Sequence, residues 1–283
     1  MRLLRHSVRL ALVLAAGFAF ASARAGTGDL VELMDHLVRQ GDESPLDAID
    51  SLYELASKDF ASAPQLRRTA IASIGIIEAR NGQNAEALAQ VDKLMAIGTP
   101  VDPLAEADAH LVRAEIEING GHGEASYQQA RAALAILGPL CAPGPRRRAD
   151  CDYREWWRAL DMAQRGAADQ GNTVIAGAYA QAMVEVARNG GDRPREAISL
   201  GISGLQSEAN ADPLTANRLM AQAQHIARSD GSAWLQVCVA VPNGLLHFRR
   251  QQPEAVQRDY EAALLMAKAA GLKRPAMLLR ANL

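Results

Sequence analysis

The chain has 283 residues, a formal net charge of −2 and only 4% aromatic residues. A mildly acidic chain has no general electrostatic footprint for nucleic acid, so we expect no nucleic-acid partner. Scarce aromatic residues among abundant alanine, leucine and isoleucine favour closely packed helices and disfavour a β-sandwich.

Residues 1–25 have the pattern of a secretory signal peptide. Three arginines precede an apolar run over residues 10–20, and Ala-Arg-Ala at residues 23–25 is a small-x-small cleavage site. The alternative is a membrane anchor, but the run is shorter than the roughly 20 residues that a membrane span needs. We therefore expect a periplasmic or secreted chain without a membrane span, and cleavage would shift the formal net charge from −2 to about −6.

Residues 26–137 have the pattern of an N-terminal series of helical repeats. Residues 29–39 and the segment that starts at Ser44-Pro45 each carry apolar residues at helical spacing. Serine can cap the first helical amides, and proline fits the first position because its missing N–H would have no partner there. Similar starts recur later, which argues for a repeated design: Asp102-Pro103, Asp212-Pro213 and the variant Asp192-Arg193-Pro194.

The clearest helical hairpin lies between Ile71 and Ile97. Two apolar stripes at helical spacing flank a polar turn at residues 81–84. Gly75 and Ala87 are small residues at positions where two packed helices would approach closely. A second hairpin, from Asp102 to residue 137, turns at a glycine-rich stretch.

Residues 138–151 form the one irregular segment, which we expect to be a junction between two halves. Cys141 and Cys151 bracket it, and in an oxidising compartment this spacing predicts a disulfide that stabilises the fold by roughly 2–3 kcal/mol. The alternative is two unpaired thiols on a loop. Arg146–Arg148 form a basic spot that could dock an anionic partner or a lipid headgroup, or could simply be solvated.

Residues 152–283 have the pattern of C-terminal helical repeats. Pro242 lies inside a helical segment that it should kink or divide, and Cys238 is expected to be a small buried apolar residue. First helices of successive hairpins are predicted to start near residues 29, 63, 103, 152, 194, 232 and 273, a mean step of about 41 residues. The pairing phase stays open in the middle, because residues 173–189 could also pair forward.

These hairpins resemble tetratricopeptide repeats. The motif's small and large residues occur in the right order and spacing at Gly75, Gly82, Ala87 and Val91, and again, without the turn glycine, at Gly244, Val256, Tyr260 and Ala263. The resemblance implies an all-α, right-handed α-solenoid whose first helices line a concave groove.

The same register suggests which side chains line that groove. Arg80 in the Gly75 unit, and Phe248 and Arg249 in a later unit, fall near its lining. Trp157 is a further candidate, because adjacent tryptophans at 156 and 157 cannot both face one core, and an exposed tryptophan can bind a ligand.

A wider resemblance covers residues 26–283. Divergent repeats behind a signal peptide, with AALLMAKAAG at residues 262–271 and LLRANL at residues 278–283, are similar to the periplasmic sensor region of bacterial diguanylate cyclases. In those receptors a membrane helix and a cyclase domain with a Gly-Gly-Asp/Glu-Glu-Phe signature follow. Neither is present in this sequence, so we expect no cyclase activity and a repeat array that is incomplete at its C-terminus.

The sequence offers little catalytic or metal-binding chemistry. No His-Glu-x-x-His pair or compact Cys/His cluster occurs, so we expect no metal and no cofactor. Residues 201–204, Gly-Ile-Ser-Gly, lie on a predicted helix with no preceding strand and do not match a nucleophile turn. Glu115 and Glu117, two residues apart on a helix, point to different faces and are expected to be solvated surface charges.

Together these features predict an exported, non-enzymatic repeat scaffold. Its role would be binding or sensing of a peptide, protein or small ligand in the concave groove. The alternative is an envelope adaptor that holds proteins together without a small-molecule ligand. An enzyme would need a separate catalytic domain, and no segment of this sequence offers one.

Overall fold

A computed structural model of the chain describes residues 45–57, 64–141 and 151–281, together with residues 33, 36–38, 40–41, 148 and 283. The predicted signal peptide and most of the predicted helix over residues 29–39 lie outside the described residues. Every regular element within the described part is an α-helix, so the expected all-α class is confirmed.

Twelve helices follow one another in chain order in the described part. They are α1 (Pro45–Ser57), α2 (Pro64–Arg80), α3 (Asn84–Met95), α4 (Pro103–Asn119), α5 (Gly123–Cys141), α6 (Tyr153–Asp169), α7 (Thr173–Asn189), α8 (Arg193–Ala209), α9 (Pro213–Asp230), α10 (Ala233–Arg249), α11 (Pro253–Ala269) and α12 (Lys273–Ala281).

Capping side chains fix where several helices begin. The Asp102 carboxylate accepts a hydrogen bond from the Leu104 amide at 2.8 Å, and proline occupies the first position of α4. Asp212 caps α9 by accepting from the Thr215 amide at 3.1 Å. An acceptor at this position satisfies an amide that has no partner within the helix. The predicted starts at these two points are confirmed.

The turns repeat as regularly as the helices. Within each hairpin a three-residue turn places its middle residue in the left-handed region, with φ between 57° and 77°. These residues are Gly82, Gly121, Gly171, Ala211 and Gln251. Gly191, Gly231 and Gly271 lie in the turns between hairpins and also have a left-handed backbone conformation. From α6 onward, equivalent turn positions are therefore 40 residues apart.

Each helix packs against the next helix in the chain. The helices fall into two alternating series. The first-series helices are α2, α4, α6, α8, α10 and α12, and the second-series helices alternate with them. Within the described ranges, most neighbouring first-series helices also pack directly on each other, whereas no two second-series helices do. The first series therefore forms the more continuous layer, and clefts are left between second-series helices.

Small residues allow the closest helix approaches. A Cβ atom on Gly75 would lie 2.9 Å from the Val112 side chain of α4. On α10, a Cβ atom on Gly244 would overlap the ring of Tyr260, which is 1% exposed and donates a hydrogen bond to the Val241 carbonyl at 3.2 Å. These contacts explain why the repeat pattern has glycine at both positions.

Pro242 does not divide its helix, which was one of the two outcomes expected from the sequence, the other being a kink. Helix α10 runs from Ala233 to Arg249 through this residue, which is buried. The proline ring packs beside Gly201 of α8, where a Cβ atom would lie only 3.0 Å from the ring. Packing against a neighbouring helix thus accommodates a residue that would otherwise interrupt the helix. Cys238, on the same helix, is half-buried rather than fully buried.

Helix α5 extends to Cys141 with Pro139 inside it, four residues into the segment expected to be irregular. Cys141 and Cys151 are joined in a disulfide with a Cα–Cα distance of 5.4 Å, and both are buried. Arg148, the one described residue of the basic spot, donates to both carboxylate oxygens of Asp102 at 3.0 and 3.2 Å. The segment between α5 and α6 is thereby tied to the start of α4.

None of the helices in the described ranges is both long and apolar enough to cross a membrane.

Candidate functional site

A buried ion network joins three first-series helices. Arg68 of α2 pairs with Asp108 of α4 and, at 2.9 Å, with Glu155 of α6, and each of these side chains is at most 4% exposed. Burial, together with the nearby Asp108 carboxylate, raises the pKa of Glu155 to about 8, and burial also raises the pKa of Asp108. The network closes this part of the first-series layer, so its role is to hold the helices together.

Arg80, a predicted groove residue, belongs to a second such cluster. Its Nε atom lies 3.4 Å from the Glu115 carboxylate, and Arg165 of α6 approaches the same carboxylate at 3.7 Å. Glu115 is 1% exposed, so the expectation that it is a solvated surface charge was wrong. Its position between two arginines from neighbouring helices makes burial possible. Burial raises the pKa of nearby Asp161, against the opposing effect of Arg165.

Trp157 links α6 to α8. Its indole Nε1 donates a hydrogen bond to the Ser199 hydroxyl at 2.9 Å, and the Arg195 guanidinium lies 5.4 Å from the ring centroid. Both tryptophans pack against the cluster that contains Leu160, and Trp156 also packs against the cluster that contains the disulfide. Their surroundings therefore differ in part, and Trp157 fills the space between two first-series helices.

Phe248 and Arg249 lie at the end of α10. Phe248 is 70% exposed, and Arg249 donates to the Leu205 carbonyl of α8 at 2.8 Å. Arg80, Trp157 and this pair thus have their partners on different helices, and none of them lines the clefts described next. The structure does not bring the four predicted residues together around one cavity.

Three clefts lie between successive second-series helices, each floored by the first-series helix between them. They are bounded by α5 and α7, by α7 and α9, and by α9 and α11. The 40-residue spacing gives them a common backbone frame with different side chains. Two sets of equivalent lining residues show this: Trp156, Glu196 and Gln236 on the floors, and Val186, Ile226 and Met266 on the walls.

The middle cleft, between α7 and α9, is the most basic of the three. It encloses about 530 Å³. We call it the arginine cleft, and it is lined by Arg188, Arg193, Glu196, Leu200, Arg218, Ala221, Gln222, His225 and Ile226.

One buried carboxylate positions two of the arginines. Glu196, whose side chain is 8% exposed, accepts from Arg188 Nε at 2.8 Å and from Arg193 Nη1 at 2.7 Å. The two arginine side chains nevertheless remain 52% and 63% exposed. Arg218 and His225 lie seven residues apart on α9, two helical turns along one face, and form the opposite wall.

The cleft therefore has an excess of positive charge. Three guanidinium groups face a single carboxylate among the described lining residues. Leu200 on the floor and Ile226 on a wall are the large apolar lining residues. Guanidinium groups bind carboxylates and phosphates through paired N–H donors, so this arrangement can hold an organic anion.

Local sequence contains part of the signal for this cleft. Arg188 lies in the last turn of α7 and Arg193 opens α8, so the two flank one short turn. The packing of α9 opposite this turn then brings Arg218 and His225 to the other side of the cleft. The four basic residues therefore form a cluster only in the folded chain.

No group of three or more His, Cys, Asp or Glu side chains in the described part of the chain could hold a metal ion. Among known proteins, no family model matches the chain, and no curated protein matches it.

Proposed function

We propose that this chain is an exported, non-enzymatic binding scaffold that recognises a small organic anion in the arginine cleft. The observation that carries the proposal is the pairing of Arg188 and Arg193 with one buried carboxylate while Arg218 and His225 face them. The scaffold itself is a right-handed, tetratricopeptide-like superhelix. Its ligand site lies between second-series helices rather than in the concave groove expected from the repeat motif.

The size and composition of the cleft favour an anion with an apolar body. A volume of about 530 Å³ lies within the range of small-molecule sites and far exceeds what a bare inorganic anion fills. A carboxylate would accept from the guanidinium groups, while an attached hydrocarbon or ring would pack against Leu200 and Ile226. These two side chains are only 1% and 6% exposed, so the ring removes little further apolar surface from water there.

The disulfide supports an extracytoplasmic location. Cys141 and Cys151 are paired, and such bonds persist chiefly in oxidising compartments. Export through the N-terminal signal sequence accounts for this pairing. Location in the periplasm or outside the cell also suits a receptor of small solutes.

A sensory output would follow from the position of the cleft. An anion that contacts Arg188 and Arg218 joins α7 to α9, which do not otherwise pack on each other. It would stabilise the spacing of the two helices that suits it best. Binding one curvature of the array better than another shifts the population of curvatures.

Isothermal titration with 3-phenylpropionate tests the proposal, because this probe joins a carboxylate to an apolar ring. We expect saturable 1:1 binding that Arg218→Gln weakens at least fivefold. Arg228→Gln is the matched control, since Arg228 is exposed on the same helix and lines a different cleft. Binding that is absent, or equally weakened by both substitutions, would overturn the proposal.

A protein adaptor is the second candidate, and exposed apolar side chains favour it. Leu214 and Val174 lie at equivalent positions near the starts of α9 and α7 and are 82% and 72% exposed, while Phe248 is 70% exposed. Scattered exposed residues are common, whereas a continuous apolar patch marks an interaction surface. Cross-linking in an envelope extract before and after Leu214→Ser and Phe248→Ser tests this role: loss of a specific cross-linked partner supports it, and an unchanged pattern counts against it.

A further inference from the structure

The first of the three clefts, between α5 and α7, has chemistry unlike that of the arginine cleft. It encloses about 370 Å³ beside the disulfide. We call it the disulfide cleft, and its lining residues are Cys141, Cys151, Tyr153, Trp156, Ala182, Glu185, Val186, Asn189 and Gly190.

Most of this lining is apolar and held in place. Tyr153 is fixed at its hydroxyl, which donates to the Asp192 carboxylate at 3.1 Å, and at its ring, against which Gly190 packs too closely for a Cβ atom. Trp156 is half-buried between core clusters, and the disulfide ties the end of α5 to the start of α6. An aromatic wall that is ordered before binding loses little conformational freedom when a ligand arrives.

The polar groups of the disulfide cleft are few. Glu185 is its only charged lining residue among those described, and its carboxylate makes no hydrogen bond or ion pair within the described chain. Asn189 lies one helical turn further along α7. The Trp156 indole N–H also makes no hydrogen bond in the described part, and it is not among the fully buried polar atoms.

Equivalent positions in the next cleft carry the opposite character. Glu185 corresponds to His225 at the 40-residue spacing, and Tyr153 corresponds to Arg193. The same backbone frame therefore presents a carboxylate beside aromatic rings on one side of α7, and guanidinium groups on the other side.

We propose that the disulfide cleft binds a small aromatic molecule that carries an ammonium group. The ring packs on Trp156, Val186 and the disulfide, and the ammonium group pairs with Glu185. Half-buried aromatic walls with a nearby carboxylate favour such cations, because the walls contact the ligand ring while Glu185, which is exposed, attracts its ammonium group. This proposal stands on residues of its own and does not depend on anion binding in the arginine cleft.

Three probes that share a phenyl ring separate the contribution of the ring from that of the charged group. They are phenethylamine, 2-phenylethanol and 3-phenylpropionate. Titration calorimetry of the full chain, with saturation-transfer NMR to report ring contact, should show phenethylamine binding at least tenfold more tightly than 2-phenylethanol. Glu185→Gln should reduce that difference to less than threefold without changing the affinity for 3-phenylpropionate. Glu254→Gln, at an exposed carboxylate outside this cleft, is the matched control.

The outcomes are distinct for the two clefts. Equal affinity for phenethylamine and 2-phenylethanol, or an undiminished preference for phenethylamine in Glu185→Gln, would overturn the disulfide-cleft proposal. Phenethylamine affinity that falls in Glu254→Gln as much as in Glu185→Gln would do the same. Failure of 3-phenylpropionate to bind would overturn only the arginine-cleft proposal. Circular dichroism at 222 nm checks that each variant keeps its helices.

Discussion

Replacement of Arg68 by methionine should destabilise the fold strongly. Arg68 is 3% exposed and pairs with both the Asp108 and the Glu155 carboxylates, while Arg158 also acts on Asp108. Its removal leaves two carboxyls facing each other in a buried site, where breaking a pair by removing one partner costs about 3–5 kcal/mol. The effect should grow as the pH rises, because the two carboxyls can relieve their repulsion only by binding protons.

Urea titration followed by circular dichroism at 222 nm measures this effect as a free energy of unfolding. Arg67→Met is the matched control, since Arg67 is the preceding residue on α2 and is exposed; we expect a change within about 0.5 kcal/mol. The triple variant Arg68→Met, Asp108→Asn, Glu155→Gln removes every charge of the network together. It should recover much of the stability that Arg68→Met loses, because no ionised group is then left unpaired.

A loss below about 1 kcal/mol for Arg68→Met at pH 8, comparable with an ordinary surface substitution, would refute this reasoning. So would a triple variant that is less stable than Arg68→Met. Either result would mean that the three side chains do not form one interdependent network between α2, α4 and α6.

Three further changes test other contacts. The pKa of Glu155 is raised to about 8 from about 4.3 in an unfolded chain, so its stabilising contribution is full below pH 4 and declines as the pH rises through 8. Wild type should therefore lose stability relative to Glu155→Gln over this range, by at most about 1.4 kcal/mol per pH unit in urea titrations. Gly244→Ala should cost about 1–3 kcal/mol in thermal unfolding, because the new methyl group overlaps the Tyr260 ring. Replacing Cys141 and Cys151 with serine should cost about 2–3 kcal/mol in urea titrations and weaken phenethylamine binding.

A pH profile of the free energy of unfolding that is parallel for wild type and Glu155→Gln would contradict the raised pKa of Glu155. For Gly244→Ala, Gly138→Ala is the control, since a Cβ atom there has nothing within 4 Å; equal effects would contradict the packing account. Cys238→Ser controls for loss of a thiol outside the disulfide. Unchanged stability in the double cysteine variant would show that the bridge does not constrain the chain.

The fold could be predicted where local chemistry decides it. Asp102 and Asp212 mark helix starts because an aspartate before a proline can satisfy an amide that the helix leaves open. Gly75 marks a close helix contact because a side chain has no room there. Local sequence could not predict how α10 accommodates Pro242, since the cost of a proline inside a helix depends on the neighbouring helix.

The charged interior could not be predicted in the same way. Arg68, Asp108, Glu115 and Glu155 lie on three helices and are buried, although helical spacing placed Glu115 on a solvated face. They are buried because the helices bring opposite charges together, which depends on how far each unit is rotated relative to the next. The arginine cleft could not be predicted for the same reason, since its basic residues come from three consecutive helices.

The repeat motif also pointed to the concave side for ligand binding. Arg80, which the motif register assigns to that groove, is 20% exposed and lies against Glu115. The first-series helices pack so closely near α4 that ion pairs fill the space between them. The clefts between second-series helices remain open, because those helices do not pack on one another in the described part of the chain.

The most direct test of the account is a crystal structure of the chain with 3-phenylpropionate bound. We predict that its carboxylate lies between Arg188 and Arg218, within about 3 Å of guanidinium nitrogens, with its ring over Leu200 and Ile226. Density for the probe at any other place, with the arginine cleft empty, would contradict the account.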